Sequence, residues 1–349
     1  MTPSSDRTPV NVLTGFLGSG KTTLLQRLLR SPRMGRAAVL INEFGEIGLD
    51  HLLVQHVDES VVLLQSGCIC CSIRDDLASA LRGLLSRRER GEIPAFDRIV
   101  IETTGLADPG PILYTLLSEP VIRHHFQLGN VITTVDVVNA GLHLSRNREG
   151  IKQVAAADRL VLTKSDLAEA GQTAAVGEEL ARLNPSARIW DAAQEPVDAD
   201  FLLDGLPFAP GPGQARYRLE NGGARAREDG AGGPDAANGL HTEAVSSMNL
   251  ILDRPMDWTA FGVWLSLLLN RHGDDVLRVK GILCVEGSDT PVWINGVQHI
   301  VHPPQHLEGW PTQDHRSRIV FITRGIDQGQ LRRSLEAFCR LRAAELAVA

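Results

Sequence analysis

What this chain of 349 residues lacks narrows what it can do. No apolar run approaches the roughly 18 residues needed to cross a bilayer. The N-terminal stretch MTPSSDRTPV has no charged segment leading into an apolar one, so no secretory leader is expected. A basic excess is missing as well. Lys and Arg number 35 against 42 Asp and Glu, a net charge of −7, which argues against a nucleic-acid partner. Five cysteines are too few to staple a chain of this length. No internal repeat is visible. The expectation is a cytoplasmic protein with neither membrane nor nucleic acid as partner.

Hydrophobic content of 43% is ordinary for a globular protein, and the length suits two domains. Short aliphatic runs at 10–14, 37–41, 61–64, 99–101, 131–135 and 160–162 read as buried strands. Helical stretches at 21–30, 75–88 and 176–183 alternate with them. That alternation predicts an α/β fold, a mostly parallel sheet covered on both faces. We place this domain at 8–205. Residues 206–240 are rich in Gly, Pro, Ala and charged residues with few large apolar ones, and read as a flexible linker. In 241–349, strands are expected at 245–252, 276–285, 291–294 and 319–322, with helices at 258–270 and 328–346. This pattern predicts a smaller α+β domain with an antiparallel sheet.

The segment GFLGSGKT runs from Gly15 through Gly18, Ser19, Gly20 and Lys21 to Thr22, between a predicted strand and a predicted helix. Glycines let the backbone curl so that successive N–H groups face phosphate oxygens at a helix N-terminus. Lys21 is placed to reach the β- and γ-phosphates, and the Thr22 hydroxyl to ligate Mg²⁺. Downstream, RIVIETTG ends an aliphatic run in Glu102, a candidate for the Mg²⁺ shell. Gly105 follows, and its N–H is a candidate sensor of the γ-phosphate. A third segment, LVLTKSD, carries Thr163, Lys164 and Asp166. The Asp166 carboxylate can accept from guanine N1–H and the N2 amino group, a donor pair adenine lacks, so GTP is expected over ATP. Thr163 stands where such motifs usually have Asn, which leaves open how that position is braced.

Three of the five thiols, Cys68, Cys70 and Cys71, fall in GCICC at a predicted strand-to-helix junction. A helix N-terminus favours thiolate and hence metal ligation. Soft ligands in this spacing suit Zn²⁺ and accept Co²⁺, Ni²⁺ or Cu⁺, with the fourth ligand unassigned. A buried structural cluster or a redox pair are the alternatives. INEFGEIGLD, with Glu43, Glu46 and Asp50, lies between the phosphate loop and the thiols and fits a first switch loop whose carboxylates could reach either metal. Cys284 and Cys339 read as small buried hydrophobes. His124, His125, His299, His302 and His306 read as structural or solvent-facing.

GFLGSGKTT, INEFGEIGLD, GCICC, IETTGLADP and TKSD, in this order, give a chain that resembles the CobW-like family of P-loop GTPases, of the SIMIBI class. VLRVKGIL and RSRIVFITRGID in the C-terminal part are similar to that family's second domain. The resemblance implies slow GTP hydrolysis, stimulated by metal or client, and a role as metallochaperone or metal-insertion factor. It implies metal ligation by Cys68, Cys70 and Cys71, phosphate binding by Gly20, Lys21, Thr22 and Thr23, and base reading by Lys164 and Asp166. The cofactors implied are GTP, Mg²⁺ and a transition metal, Zn²⁺ or Co²⁺, and the partner is a client metalloprotein. Lys21, Glu43, Glu102 and Gly105 make the expected hydrolytic set. The histidine-rich stretch many members carry is absent. Whether two copies pair as a homodimer stays open. Two other readings are a regulatory GTP-binding protein with structural or redox-sensing thiols, and a small-molecule kinase, against which TKSD argues.

Overall fold

The computed structural model describes residues 7–41, 62–65, 73–194, 196, 199–203 and 245–346. Among these, seven strands form one sheet. They are β1 (Thr8–Gly15), β2 (Ala37–Ile41), β3 (Val62–Gln65), β4 (Arg98–Glu102), β5 (Phe126–Asp136), β6 (Arg159–Thr163) and β7 (Arg188–Asp191). The order is β3-β2-β4-β1-β5-β6-β7, and every pairing is parallel.

Side chains alternate across a strand, so both faces of these aliphatic runs must be covered. They are. Val10, Val12, Ala38, Leu40, Ile99 and Ile101 enter one core, and Leu13, Ala37, Val39, Ile41 and Val100 enter the other. Helix α1 (Lys21–Leu29) covers the second face with Leu24, Leu25 and Leu28. Helices α2 (Ile73–Glu89) and α3 (Gly110–Ser118) cover the first, with Leu77, Leu81, Leu84, Ile112 and Leu113.

The expected strands and helices all occur, with ends moved by a few residues. The aliphatic signal did not mark β7, whose RIWD sequence is half-buried throughout. It also did not mark α3, α4 (Pro120–His125), α5 (Ala140–Arg146), α6 (Arg148–Ala156) or α8 (Ala199–Leu203). Most of these are short, and their apolar residues span too few turns to show a period. Helix α7 (Gln172–Leu183) begins one turn earlier than expected.

The second sheet is antiparallel. It comprises β8 (Val245–Leu252), β9 (Val276–Leu283), β10 (Val292–Val297), β11 (Ile300–Val301), β12 (Gln305–His306) and β13 (Ser317–Arg324). Its order is β11-β10-β9-β13-β8, with β12 on β10. Helices α9 (Trp258–His272) and α10 (Gln328–Leu346) join its core through Phe261, Trp264, Leu331 and Leu335. The Asp257 carboxylate caps α9 by accepting from Ala260 N.

Strand β9 is buried along its whole length, with Val276, Val279 and Leu283 in the core of its own domain and Leu277, Arg278 and Lys280 against the first domain. Arg278 and Lys280, two residues apart on one face, both donate to Asp158 Oδ1, at 2.5 and 2.9 Å. Arg278 also donates to Ala156 O. Asp158 sits between α6 and β6, and its other oxygen accepts from Val131 N at 3.0 Å. Burial raises the Asp158 pKa, but the Lys280 and Arg278 charges outweigh it and hold the carboxyl well below its usual range. Cys284, expected to be buried, is partly exposed just beyond β9, where the strand leaves the core. Cys339 lies in α10, and its side chain is outside the described residues.

No helix among the described residues is long and apolar enough to cross a membrane.

Candidate nucleotide site

The central strand β1 has β4 on one side and β5 on the other, so the strand order reverses beside it. Ligands of open parallel sheets bind outside the strand C-termini at such a point. GFLGSGKT leaves the sheet there. Gly15 ends β1; Gly18, Ser19 and Gly20 form the loop; Lys21, Thr22 and Thr23 make the first turn of α1. Gly20 has φ +88°, a left-handed conformation that places it as the helix cap without a Cβ penalty. Ser19 is buried, with its Oγ 2.6 Å from Thr134 Oγ1 on β5. Lys21 Nζ donates to Gly15 O and Phe16 O at 3.0 and 3.1 Å, so the ammonium arches over the loop it belongs to.

Glu102 ends β4 almost fully buried, and its Oε1 accepts from the Thr22 hydroxyl at 2.7 Å. A hydroxyl and a carboxylate this close form a hard-oxygen pair of the kind Mg²⁺ selects, so these residues fit that ion. Gly105 follows in the next turn, packed so tightly on the loop that a Cβ there would lie 2.7 Å from Leu17 Cα. Only glycine permits this approach. It brings the Gly105 backbone beside the phosphate loop.

At the other end of the loop, a cleft of about 710 Å³ is lined by Gly20, Thr23, Thr163, Lys164, Asp166 and Gln194, among others. Its size is that of a small-molecule site. Thr163, at the end of β6, donates its hydroxyl to Ser19 O at 2.8 Å, with Val135 O also in reach at 3.2 Å. A threonine at this position thus supplies the brace to the phosphate loop that the sequence left open. Lys164 takes a left-handed backbone, φ +57°, and its Nζ donates to Asp136 Oδ2 at 2.7 Å. Asp166 is exposed along the cleft.

Two contributors were missed in the sequence. Asp136 ends β5, is 2% exposed, and accepts from Lys164, from the Asn139 side chain and from Val138 N. Burial raises its pKa, but the hydrogen bonds from Lys164 and Asn139 prevail and keep it low. The signal was present: like Glu102, Asp136 is a carboxylate closing an aliphatic run. The second contributor is the turn after β7, where Ala192, Ala193 and Gln194 wall the cleft. Arg27 holds it by donating to Ala192 O at 3.1 Å, and Asp191 joins it to the TKSD turn through Ala193 N and the Ser165 hydroxyl. Nothing local in AAQ announces this role.

Glu43, Glu46, Asp50, Cys68, Cys70 and Cys71 lie outside the described residues. Among the described residues no group of three or more His, Cys, Asp or Glu side chains could hold a metal ion. The histidines take the expected roles: His124 and His125 meet edge to face at 4.8 Å, His299 Nε2 lies 3.0 Å from Asp274, and His302 is buried against Asn295.

Comparison with known proteins gives a consistent result along the chain. The nucleotide-binding domain family described as CobW/HypB/UreG matches residues 9–191, and the cobalamin synthesis protein CobW C-terminal domain matches residues 245–339. The zinc chaperone YjiA of Escherichia coli is 34% identical over 333 residues, spanning 95% of this chain and 98% of the relative. The zinc chaperone CobW of Pseudomonas aeruginosa is 30% identical over 361 residues, spanning 94% and 90%. The crystal structure of Zn(II)-bound YjiA GTPase from E. coli superposes with a TM-score of 0.68 at 28% identity, over 95% of this chain and 99% of that one.

Proposed function

Because the chain belongs to the CobW family of P-loop GTPases, we propose that it hydrolyses GTP to drive delivery of a transition metal, zinc first, to a client metalloprotein. The observation that carries the nucleotide half is the Thr22–Glu102 contact, which joins the phosphate loop to the end of β4 beside Gly105. Lys21 leaves Gly15 O and Phe16 O to meet the β- and γ-phosphates. The loop N–H groups and the α1 N-terminus hold their charge. Gly105 presents its N–H to the γ-phosphate, and Lys164 and Asp166 read the guanine. Mg²⁺ held by Thr22 and Glu102 would neutralise charge on the β- and γ-phosphates.

Zinc rests on the relatives, both zinc chaperones, and on the soft ligands Cys68, Cys70 and Cys71. Co²⁺ suits the same thiols. Glu43 belongs to a first switch between the two sites. The domains run 8–205 and 241–349, with a linker at 206–240. Linear order supports the coupling, since the thiols lie between Glu43 and Gly105. GTP closes the switches around the metal and hydrolysis relaxes them, releasing it to the client.

Zn²⁺ affinity, measured by chelator competition with a non-hydrolysable GTP analogue and with GDP, tests this reading. The affinities should differ, and replacing Cys70 and Cys71 by Ser should abolish the tight site. Equal affinities would sink the coupled model, because a ligand shifts an equilibrium only by its differential binding.

A further inference from the structure

The hairpin between β10 and β11 turns through two residues, Gln298 and His299, and Gln298 takes φ +53°. Glycine usually fills such a turn position, because a side chain there is strained. Strain retained at a glutamine directs attention to what its side chain does. Gln298 Nε2 donates to both carboxylate oxygens of Asp108, at 3.3 and 3.1 Å. Asp108 also receives Lys152 Nζ on Oδ2 at 2.6 Å and Gly110 N on Oδ1 at 2.9 Å.

Asp108 lies three residues beyond Gly105. The segment between them is held by the neighbour of Lys152: Gln153 Nε2 donates to Gly105 O at 3.1 Å and to Ala107 O at 3.0 Å. Gly105 in turn lies against Leu17 of the phosphate loop. On the other side, Val297 is buried in the core that α3 shares, and His299 reaches Asp274 beyond α9. A continuous line of contacts therefore runs from a hairpin of the C-terminal domain to the phosphate loop of the first. The only residue of the C-terminal domain with a hydrogen bond to Asp108, among the described residues, is Gln298.

We propose that Gln298 is a positioning residue for GTP hydrolysis. Through Asp108 it fixes the segment that carries Gly105, so that turnover responds to whatever displaces the hairpin of the second domain, such as a bound client. This rests on the GTPase reading above.

The test is steady-state GTP hydrolysis by the full chain, with thermal unfolding measured on the same samples. Gln298→Gly relieves the backbone strain and removes the amide, so Tm should hold or rise while kcat falls about fivefold, with KM for GTP little changed. A role confined to shaping the turn predicts the same Tm with kcat unchanged, since glycine is the better turn residue. Asp108→Asn should also lower kcat, and because Gln298 acts through Asp108, adding Gln298→Gly to Asp108→Asn should lower it little further. Wild-type kcat in Gln298→Gly, or losses that simply multiply in the double variant, would overturn the proposal. A wild-type chain that turned over no GTP would overturn the GTPase reading itself, and this proposal with it.

Discussion

Asp158 of the first domain and Arg278 of the second meet at 2.5 Å, with side chains 3% and 0% exposed. Lys280, equally buried, shares the same carboxylate oxygen. Removing one member of a buried ion cluster leaves charge without its counter-charge and typically costs about 3–5 kcal/mol, whereas replacing the whole set with apolar groups is often neutral. Asp158→Asn should therefore lower the free energy of unfolding by about 3–5 kcal/mol in urea titrations. The triple variant Asp158→Leu, Arg278→Met, Lys280→Met should recover only part of that loss, because Val131 N then loses its acceptor. A mild effect of Asp158→Asn would mean that water reaches this interface.

The same interface makes stability depend on pH through His302. Burial lowers its pKa to about 3 from an ordinary 6.5, and the Arg278 charge adds to this. The ring is neutral, with Nδ1 3.2 Å from Asn295 Nδ2. Between pH 6.5 and 3 the unfolded chain binds a proton at this site that the folded chain refuses, so stability falls as pH falls. The slope approaches about 1.4 kcal/mol per pH unit. Asp158, whose folded pKa is depressed, adds its own loss only as pH drops below its unfolded value of 3.8. Unfolding free energies compared at pH 6.5 and about 4.5 thus isolate the histidine, and His302→Gln should remove about 2 kcal/mol of the difference. An unchanged slope would show that His302 is protonated in the fold.

Thr22 and Glu102 belong to different strand–loop units, 80 residues apart, yet share a 2.7 Å hydrogen bond. Thr22→Ala should lower Mg²⁺-dependent GTP turnover on the order of 100-fold, as loss of one preorganised polar group in a charged transition state does. Thr22→Ser keeps the hydroxyl and should stay near wild type. Glu102→Gln keeps the acceptor but loses its charge, so the Mg²⁺ concentration for half-maximal activity should rise. Turnover of Thr22→Ala equal to that of Thr22→Ser would remove this hydroxyl from the site.

The phosphate loop was legible in the sequence because its chemistry is local: Gly15, Gly20, Lys21 and Thr22 must be adjacent to curl around phosphate. The buried strands were legible for a similar reason, since a parallel sheet covered on both faces demands uninterrupted aliphatic runs. What stayed hidden was contact across long sequence separations. Lys164 was visible as part of TKSD, but Asp136, which holds it, lies 28 residues away. Nothing local to Arg278 and Lys280 points to Asp158, which lies 120 residues before Arg278. Gln298 carried no signal at all, because a positive φ at a non-glycine residue is a property of the folded chain. Short helices such as α5, at Ala140–Arg146, are held by packing rather than by their own periodicity.

Base choice should reside in one carboxylate. Asp166 lies open on the cleft beside Lys164, whose ammonium is fixed by Asp136, and opposite the Ala192–Gln194 turn that Asp191 ties to Ser165. The walls of the site are thus held independently of Asp166, and changing that side chain should alter recognition without collapsing the cleft. Guanine offers two donors, N1–H and the N2 amino group, which a carboxylate accepts together. Asparagine offers one acceptor and one donor, a match for xanthine, whose C2 carries an oxygen. Hydrogen bonds to a charged group contribute about 1.5–3 kcal/mol each. Asp166→Asn should therefore weaken GTP binding on the order of 100-fold and favour XTP by a comparable factor. Competition against a fluorescent GDP checks both shifts. Unaltered GTP affinity in Asp166→Asn would move base recognition elsewhere in the cleft, with the Gln194 turn the next place to look.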